Sequence, residues 1–347
     1  MNGLVVSPSP HRRADMTTQK IMALVIIALL PSAIAGCVFF GINALLVLLT
    51  CIASSVIFEI ICYLVMKRTQ KVYDLSAIVT GLLLGMNLPA TCPLYVAVIG
   101  SFIAIVIVKQ LFGGIGQNFA NPAIAARIVL MLSFTTHMTK WVIPFNADSV
   151  TGATPLAARW LEYTSDDGSL LKMAPFTLKE MLIGTTGGCI GETCAIALII
   201  GGLFLIIARV ISPVTPLVYI GAFSILTFVY TGSLIETVYQ LLAGGLILGA
   251  FFMATDYTTT PLTNKGKLIF GLGCAIITFV IRQFGSYPEG VSFSILIMNL
   301  LTPYIDKLTR TEPFGAIGKK KRSLKDIISD WKEKYDKKFL DPERNDF

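Results

Sequence analysis

An all-α integral membrane fold of about ten transmembrane helices, arranged as two inverted five-helix repeats, is what this sequence predicts. Three observations predict it. The 347 residues are 54% hydrophobic and only 14% charged, where soluble domains carry roughly a quarter charged residues. Apolar runs recur along nearly the whole chain; at about 20 residues per crossing, ten spans use roughly 200 residues and leave two tails and one sizeable loop. Short motifs of the first half return in the same order in the second. Soluble-enzyme and nucleic-acid-binding readings are therefore poor, and the net charge of +7 is read first as membrane topology.

The first run, at about 21–40, begins after Lys20, carries no small-residue cleavage site and is followed at once by a second span. It is expected to be a retained helix rather than a removed signal peptide. The other spans are expected at about 42–65, 75–88, 94–112, 122–134, 187–208, 216–230, 235–254, 267–284 and 291–304. Several are short or interrupted by glycine and proline, as in Gly81-Leu82-Leu83-Leu84-Gly85-Met86-Asn87-Leu88-Pro89. Such helices leave backbone groups unsatisfied in lipid, so they belong against other helices or beside a site.

Basic residues stand at His11-Arg12-Arg13 and Lys20, at Lys67-Arg68 and Lys71, at Lys265 and Lys267, and at Lys319-Lys320-Lys321-Arg322, all on one side of the ten-span arrangement. The positive-inside rule makes that side cytoplasmic and puts both termini inside a multi-pass protein of the cell membrane. The chain then divides into a cytoplasmic segment 1–20, a first repeat 21–134, an extracytoplasmic loop 135–186, a second repeat 187–304 and a basic cytoplasmic tail 305–347. The tail either lies against anionic lipid or docks a soluble partner.

The repeat rests on two matches. Gly81-Leu82-Leu83-Leu84-Gly85 in span three returns as Gly245-Leu246-Ile247-Leu248-Gly249 in span eight, and Lys109-Gln110-Leu111-Phe112-Gly113 returns as Arg282-Gln283-Phe284-Gly285. Five is odd, so the second unit runs through the membrane the opposite way, the architecture in which sites lie near interrupted helices at the repeat interface. The cysteines, Cys37, Cys51, Cys62, Cys92, Cys189, Cys194 and Cys274, form no C-x-x-C pair, so neither an iron–sulfur nor a zinc site is written locally.

The loop carries Asp148-Ser149-Val150-Thr151-Gly152-Ala153-Thr154-Pro155-Leu156, which fits the D-x-x-[ST]-G-A-T pattern recognised by flavin transferases. A modifying enzyme must thread this backbone through its active site. Gly152 and Ala153 keep side-chain bulk away, and Thr154 offers the hydroxyl that becomes a phosphoester. Thr-Gly-Ala-Thr-Pro is also a good turn sequence, and these residues alone leave the two readings level. An extramembrane loop is expected to add little to the stability of the bundle.

Further stretches break the tie: Val6-Ser7-Pro8-Ser9-Pro10-His11, Gly113-Gly114-Ile115-Gly116-Gln117-Asn118-Phe119-Ala120-Asn121-Pro122-Ala123, Gly191-Glu192-Thr193 and Met253-Ala254-Thr255-Asp256. With the loop pattern, and in this order, they make the chain resemble, over nearly its whole length, the family of the membrane D subunit of the Rnf electron-transport complex and the homologous B subunit of the sodium-pumping NADH:quinone reductase. The short N-terminus is more similar to the Rnf subunit. Phe119-Ala120 departs from the family, which has a proline and a bulky residue there.

The resemblance implies covalent FMN on Thr154, with Asp148, Thr151, Gly152 and Ala153 completing the recognition pattern, and a second, non-covalent flavin, riboflavin, within the bundle. It implies an enzyme subunit that relays electrons in a complex coupling ferredoxin:NAD oxidoreduction to Na+ or H+ translocation. The implied partners are the other subunits, among them a second flavinylated one and iron–sulfur subunits, and a flavin transferase for maturation. A flavin-free channel or secondary transporter would share the repeats and broken helices but would not need the residues from Asp148 to Thr154.

Glu59, Arg127 and Glu192 lie within spans, where each costs several kcal/mol unless paired or hydrated. Glu59, close to the Lys67 end of its helix, is expected to form a structural ion pair, while for Glu192 an ion-site or flavin-proximal role and a purely structural one stand level. Gln117, Asn118 and Asn121 precede a proline that opens a helix; Asn121 suits an N-cap, and the amides equally suit the pyrimidine edge of a flavin. Asp256, among the hydroxyls of Thr255, Thr258, Thr259 and Thr260, suits a sodium site or a flavin ribityl chain as well as a plain loop.

Overall fold

The computed structural model describes residues 16–67, 74–145, 154–158, 163–164, 170–171, 176–285 and 290–310. The chain divides into a unit of residues 1–308 and a C-terminal unit of residues 309–347, of which only Thr309 and Arg310 are among the described residues.

Two long helices open the fold. In α1 (Thr18–Phe40) the Thr17 hydroxyl caps the N-terminus by accepting from the Lys20 amide, and Gly41, at φ 72°, stops the helix so that α2 (Ile42–Met66) can return. These helices have 23 and 25 residues, enough to cross a bilayer. Shorter helices follow: α3 (Ser76–Met86), then α4 (Leu94–Phe102) continuing as a π-helical stretch (Ile103–Gln110), then α5 (Pro122–Ser133) and α6 (Thr135–Met138). The start of α5 is written in its sequence: Asn121 accepts from the amides of Ala123 and Ile124, and Pro122 occupies the first turn, where its missing N–H costs nothing.

Between the halves lie α7 (Pro155–Ala158), a two-residue antiparallel ladder of β1 (Tyr163–Thr164) on β2 (Leu170–Leu171), and α8 (Leu178–Ile183), which opens with a capping box of Thr177 and Glu180. This ladder is the single β pairing among the described residues of a chain expected to be wholly helical.

The second half contains α9 (Ala195–Ile207), α10 (Val214–Thr231), α11 (Leu234–Leu242), α12 (Leu246–Leu248) continuing as a π-helical stretch (Gly249–Met253), α13 (Asn264–Phe284) and α14 (Val291–Thr309). Four helices, α1, α2, α10 and α13, are long and apolar enough to cross a membrane, and a fifth span results if α11 and α12 with its π-helical stretch are taken as one path bent by 68°. The apolar helices Ser76–Met86, Leu94–Gln110, Pro122–Ser133 and Ala195–Ile207 have 10–17 residues, below the length of a straight span, while α14 has 19. The expected sixth span, 187–208, is helical only from Ala195, because its glycine-rich start runs as irregular backbone. That stretch is buried but satisfied: the Ile190 and Gly191 amides donate to Leu88 and Met86 carbonyls at 3.1 and 2.8 Å.

Packing brings α2 against α3 and α4, α10 against α13, and α1 against α9. The core includes Leu29, Leu84, Met86, Ile124, Phe223, Phe270 and Ile295. The outer faces are apolar as well, with Leu64 74% and Val229 76% exposed, which suits lipid and not water. Hydroxyls join the helices inside: Tyr219 Oη lies 2.6 Å from Thr278 Oγ1, which donates to Ser294 Oγ at 2.7 Å. The chain is a multi-pass membrane protein.

Candidate functional site

The largest grouping of sequence-selected residues is at a cavity of about 810 Å³, counting its open mouth. Asn118, Asn121 and Asp256 line it together, although the first two lie more than 130 residues before the third. Its apolar wall includes Ile21, Val25 and Leu83, and both π-helical stretches reach it, the first through Lys109 and the second through Phe251 and Phe252. Such stretches frequently mark functional sites.

The polar groups here have different duties. Asn121 is buried, caps α5 and donates from Nδ2 to the Met253 carbonyl at 3.3 Å, so it fastens the first half of the chain to the second. The Asn118 side-chain oxygen is buried and has no partner, an acceptor beside the cavity with nothing to accept from. Asp256, in the connection before α13, accepts from Thr258 and Thr259 hydroxyls at 3.1 and 3.4 Å. Burial pushes its carboxyl above the ordinary carboxylate range, against these hydrogen bonds, which lower it. Gln117 is not among the lining residues: it is exposed, its carbonyl folded over Gly113, where a Cβ would collide with it.

Lys109 is a residue that the sequence patterns do not single out as part of a site. It lies at the cavity wall beside Ser76 and donates to Ser76 Oγ and Glu59 Oε1. Glu59 thus forms the expected structural ion pair, with Lys109 50 residues onward and not with Lys67 at the end of its own helix. Eight residues of helix rise about 12 Å, too far for that pair. The available signal is a lysine after Val106-Ile107-Val108 in an otherwise apolar run.

Thr154 lies in a second, smaller pocket of about 340 Å³, with Pro155, Leu156, Thr186, Glu192, Thr193 and Gly244 among its walls. Thr154 is only 6% exposed. The segment is held down: Leu156 is buried in a cluster with Met181, Tyr239 and Ala243, and Tyr239 Oη donates to the Pro155 carbonyl at 3.2 Å. This part of the loop thus packs on the bundle, contrary to the expectation that it adds little to it. Asp148, Thr151, Gly152 and Ala153 lie outside the described residues.

Glu192 reaches this pocket from the irregular stretch before α9, and Arg127 Nη1 on α5 donates to its Oε1 at 2.8 Å and to Asn87 Oδ1 at 2.6 Å. Gly245 is required here, since a Cβ would lie 2.5 Å from the same carboxylate oxygen. The Thr193 hydroxyl is buried without a partner. Among the described residues, no group of three or more His, Cys, Asp or Glu side chains is placed to hold a metal ion.

Comparison with known proteins fits this geometry. The family model described as NQR2, RnfD, RnfE matches residues 5–315. The chain is 46% identical over 323 residues to the D subunit of the Na(+)-translocating ferredoxin:NAD(+) oxidoreductase complex of Acetobacterium woodii, covering 92% of this chain and 98% of the relative. It is 44% identical over 328 residues to the D subunit of the proton-translocating ferredoxin:NAD(+) oxidoreductase complex of Clostridium ljungdahlii, covering 91% and 97%. A third relative, the D subunit of the ion-translocating oxidoreductase complex of Stutzerimonas stutzeri, is 38% identical over 332 residues, 86% of this chain and 92% of its own. The chain belongs to the NQR2, RnfD, RnfE family.

Proposed function

We propose that this chain is the D-type membrane subunit of a ferredoxin:NAD+ oxidoreductase complex that translocates an ion, and that it carries two flavins: FMN held through a phosphoester on Thr154, and riboflavin held non-covalently in the larger cavity. The observation that carries the reading is the end-to-end similarity to proteins named as that subunit. One relative is named for Na+ and another for protons at nearly the same identity, so similarity does not choose the ion.

The residues fit the second flavin. A flavin is a flat, largely apolar ring system with a polar edge, and when bound it supplies one- and two-electron redox chemistry. The cavity is open at its mouth and its lining is mainly apolar with a few polar groups, the character of small-molecule sites. Asn118 offers the unpartnered oxygen a ring N–H needs, Phe251 and Phe252 offer aromatic surface, and Asp256 with its threonines offers hydroxyl chemistry for a polar chain. At the smaller pocket the sequence pattern supports Thr154 as the attachment point, and Tyr239, donating to the Pro155 carbonyl, holds the adjacent backbone.

Partners in this reading are the other subunits of the complex, including a second flavinylated subunit and iron–sulfur subunits, with a flavin transferase acting during maturation. Ten crossings as two inverted five-helix units, both termini cytoplasmic and 135–186 outside, complete the proposal, with the short helices α3, α5 and α9 as interrupted crossings.

Flavin analysis tests it. The full-length protein, made in cells that contain the transferase, is expected to show a flavin absorbance spectrum; on denaturation part should be released and part should stay with the protein band. Flavin-free protein would return the chain to a channel or scaffold. For topology, a cysteine placed in the loop should react with an impermeant thiol reagent in intact cells, and labelling only after lysis would reverse the orientation.

A further inference from the structure

We propose that Lys109 is the counter-cation of the larger cavity: its ammonium, held by Glu59 and Ser76, balances the negative charge brought in when the flavin bound there is reduced. This rests on the assignment of that cavity to the non-covalent flavin.

The argument begins with cost. Lys109 is 2% exposed and Glu59 3%, both inside helices that face lipid elsewhere. A buried ion pair in apolar surroundings is seldom retained for stability, because an apolar pair of similar volume is commonly as good or better. Each member is instead fixed with some care. Glu59 Oε1 also accepts from Gln110 Nε2 at 3.1 Å, and Ser76, which accepts from Lys109, donates to Asp74 Oδ1 at 2.8 Å. The pair thus joins α2, the start of α3 and the first π-helical stretch.

The second step is position. Lys109 and Ser76 both line the cavity, whereas Glu59, Gln110 and Asp74 do not. The ammonium is thus held between a carboxylate outside the lining and a hydroxyl residue within it. The other titratable groups of that wall are Asp256, whose carboxyl burial pushes above its ordinary range while Thr258 and Thr259 donate to it, and Tyr257, which donates to the Val210 carbonyl. Lys109 is therefore the fixed positive charge among the described lining residues.

The third step is electrostatic. Each electron added before a proton arrives places one negative charge among walls such as Val25, Leu83 and Phe252, where charge is weakly screened. An ammonium at the wall favours the reduced form; Glu59 moderates this by sharing the same ammonium. Removing Lys109 should make the bound flavin harder to reduce, and removing the charge of Glu59 should make it easier. The Thr154 pocket has none of these residues in its walls, so a flavin attached there serves as the internal reference.

The test is a potentiometric titration with dithionite of the full-length protein, in wild type, Lys109→Met, Lys109→Arg and Glu59→Gln, followed by denaturation to separate released from protein-bound flavin. For the non-covalent flavin, Lys109→Met should lower the reduced-to-oxidised ratio at a fixed potential at least tenfold, 59 mV for a one-electron couple. Lys109→Arg should restore most of this, and Glu59→Gln should raise the ratio several-fold. The protein-bound flavin should stay at its wild-type midpoint throughout. If Lys109→Met does not accumulate, Glu59→Gln decides alone, since it keeps the shape and an acceptor for Lys109. Wild-type midpoints in every variant that retains the flavin would overturn the proposal, as would equal shifts in both flavins. A wild type that releases no flavin would instead overturn the cavity assignment, and the role of Lys109 with it.

Discussion

The two pockets differ in the way they can retain a ligand. The larger one, about 810 Å³ with its open mouth, lies between helices from both halves of the chain and offers an unpartnered oxygen, aromatic faces and a cation. The smaller one, at about 340 Å³, surrounds Thr154 closely and is walled partly by glycines, Gly187, Gly188 and Gly244. Burial of a ligand's surface supplies affinity, so on the proposed reading the first pocket would retain its flavin by contact. The second has room around the attachment atom but little for a ring system, so a group fixed there extends beyond the pocket and is kept by its bond. On the proposed reading, one site would hold its flavin by enclosure and the other by tether.

The sharpest way to break that contrast is Thr154→Val, which keeps the β-branched shape and deletes the oxygen. Flavin fluorescence of the denatured band should vanish completely while releasable flavin persists, and Thr151→Ser should retain both. A fluorescent Thr154→Val band would falsify the tether.

Next in size is Glu192→Ala, which leaves the Arg127 guanidinium buried without its carboxylate. A loss of about 3–5 kcal/mol is expected, read as a lower Tm in detergent, with Glu192→Gln recovering a substantial part because an acceptor remains. A wild-type Tm for the alanine variant would mean that the smaller pocket does not depend on the pair beneath it.

The smallest effect concerns enclosure. Asn118→Leu removes the lone acceptor at the larger cavity, and one hydrogen bond of about 1 kcal/mol corresponds to roughly fivefold weaker retention of the releasable flavin. The ratio of released to protein-bound flavin measures this. An unchanged ratio would show that the ring is held without this oxygen.

Local pattern makes part of this legible. The Asn121-Pro122 start of α5 and the Gly41 stop between α1 and α2 follow from residue types with one strong preference each. The partner of Glu59 is not legible, because a helix reading supplies neighbours four residues away and Lys109 arrives through tertiary packing. The irregular stretch before α9 escapes for a similar reason: apolar composition marks burial, but whether Gly187-Gly188 and Gly191 form helix depends on the free carbonyls of Met86 and Leu88 that receive the backbone. Gln117 matches its neighbours in type and yet faces away from the cavity, since the tight backbone at Gly113, Gly114 and Gly116, all at positive φ, sets its direction.

The Arg127–Glu192 pair also has a consequence for biogenesis. Its members are 65 residues apart in the chain, and at about 5–20 residues per second the ribosome takes roughly 3–13 s to make that interval. During this time α5 has been synthesised with its guanidinium but the carboxylate that neutralises it has not, leaving Asn87 and water or lipid headgroups as its company. The first half of the protein is therefore electrically unfinished while it waits at the translocon, and the arrival of residue 192 closes the circuit between the two halves.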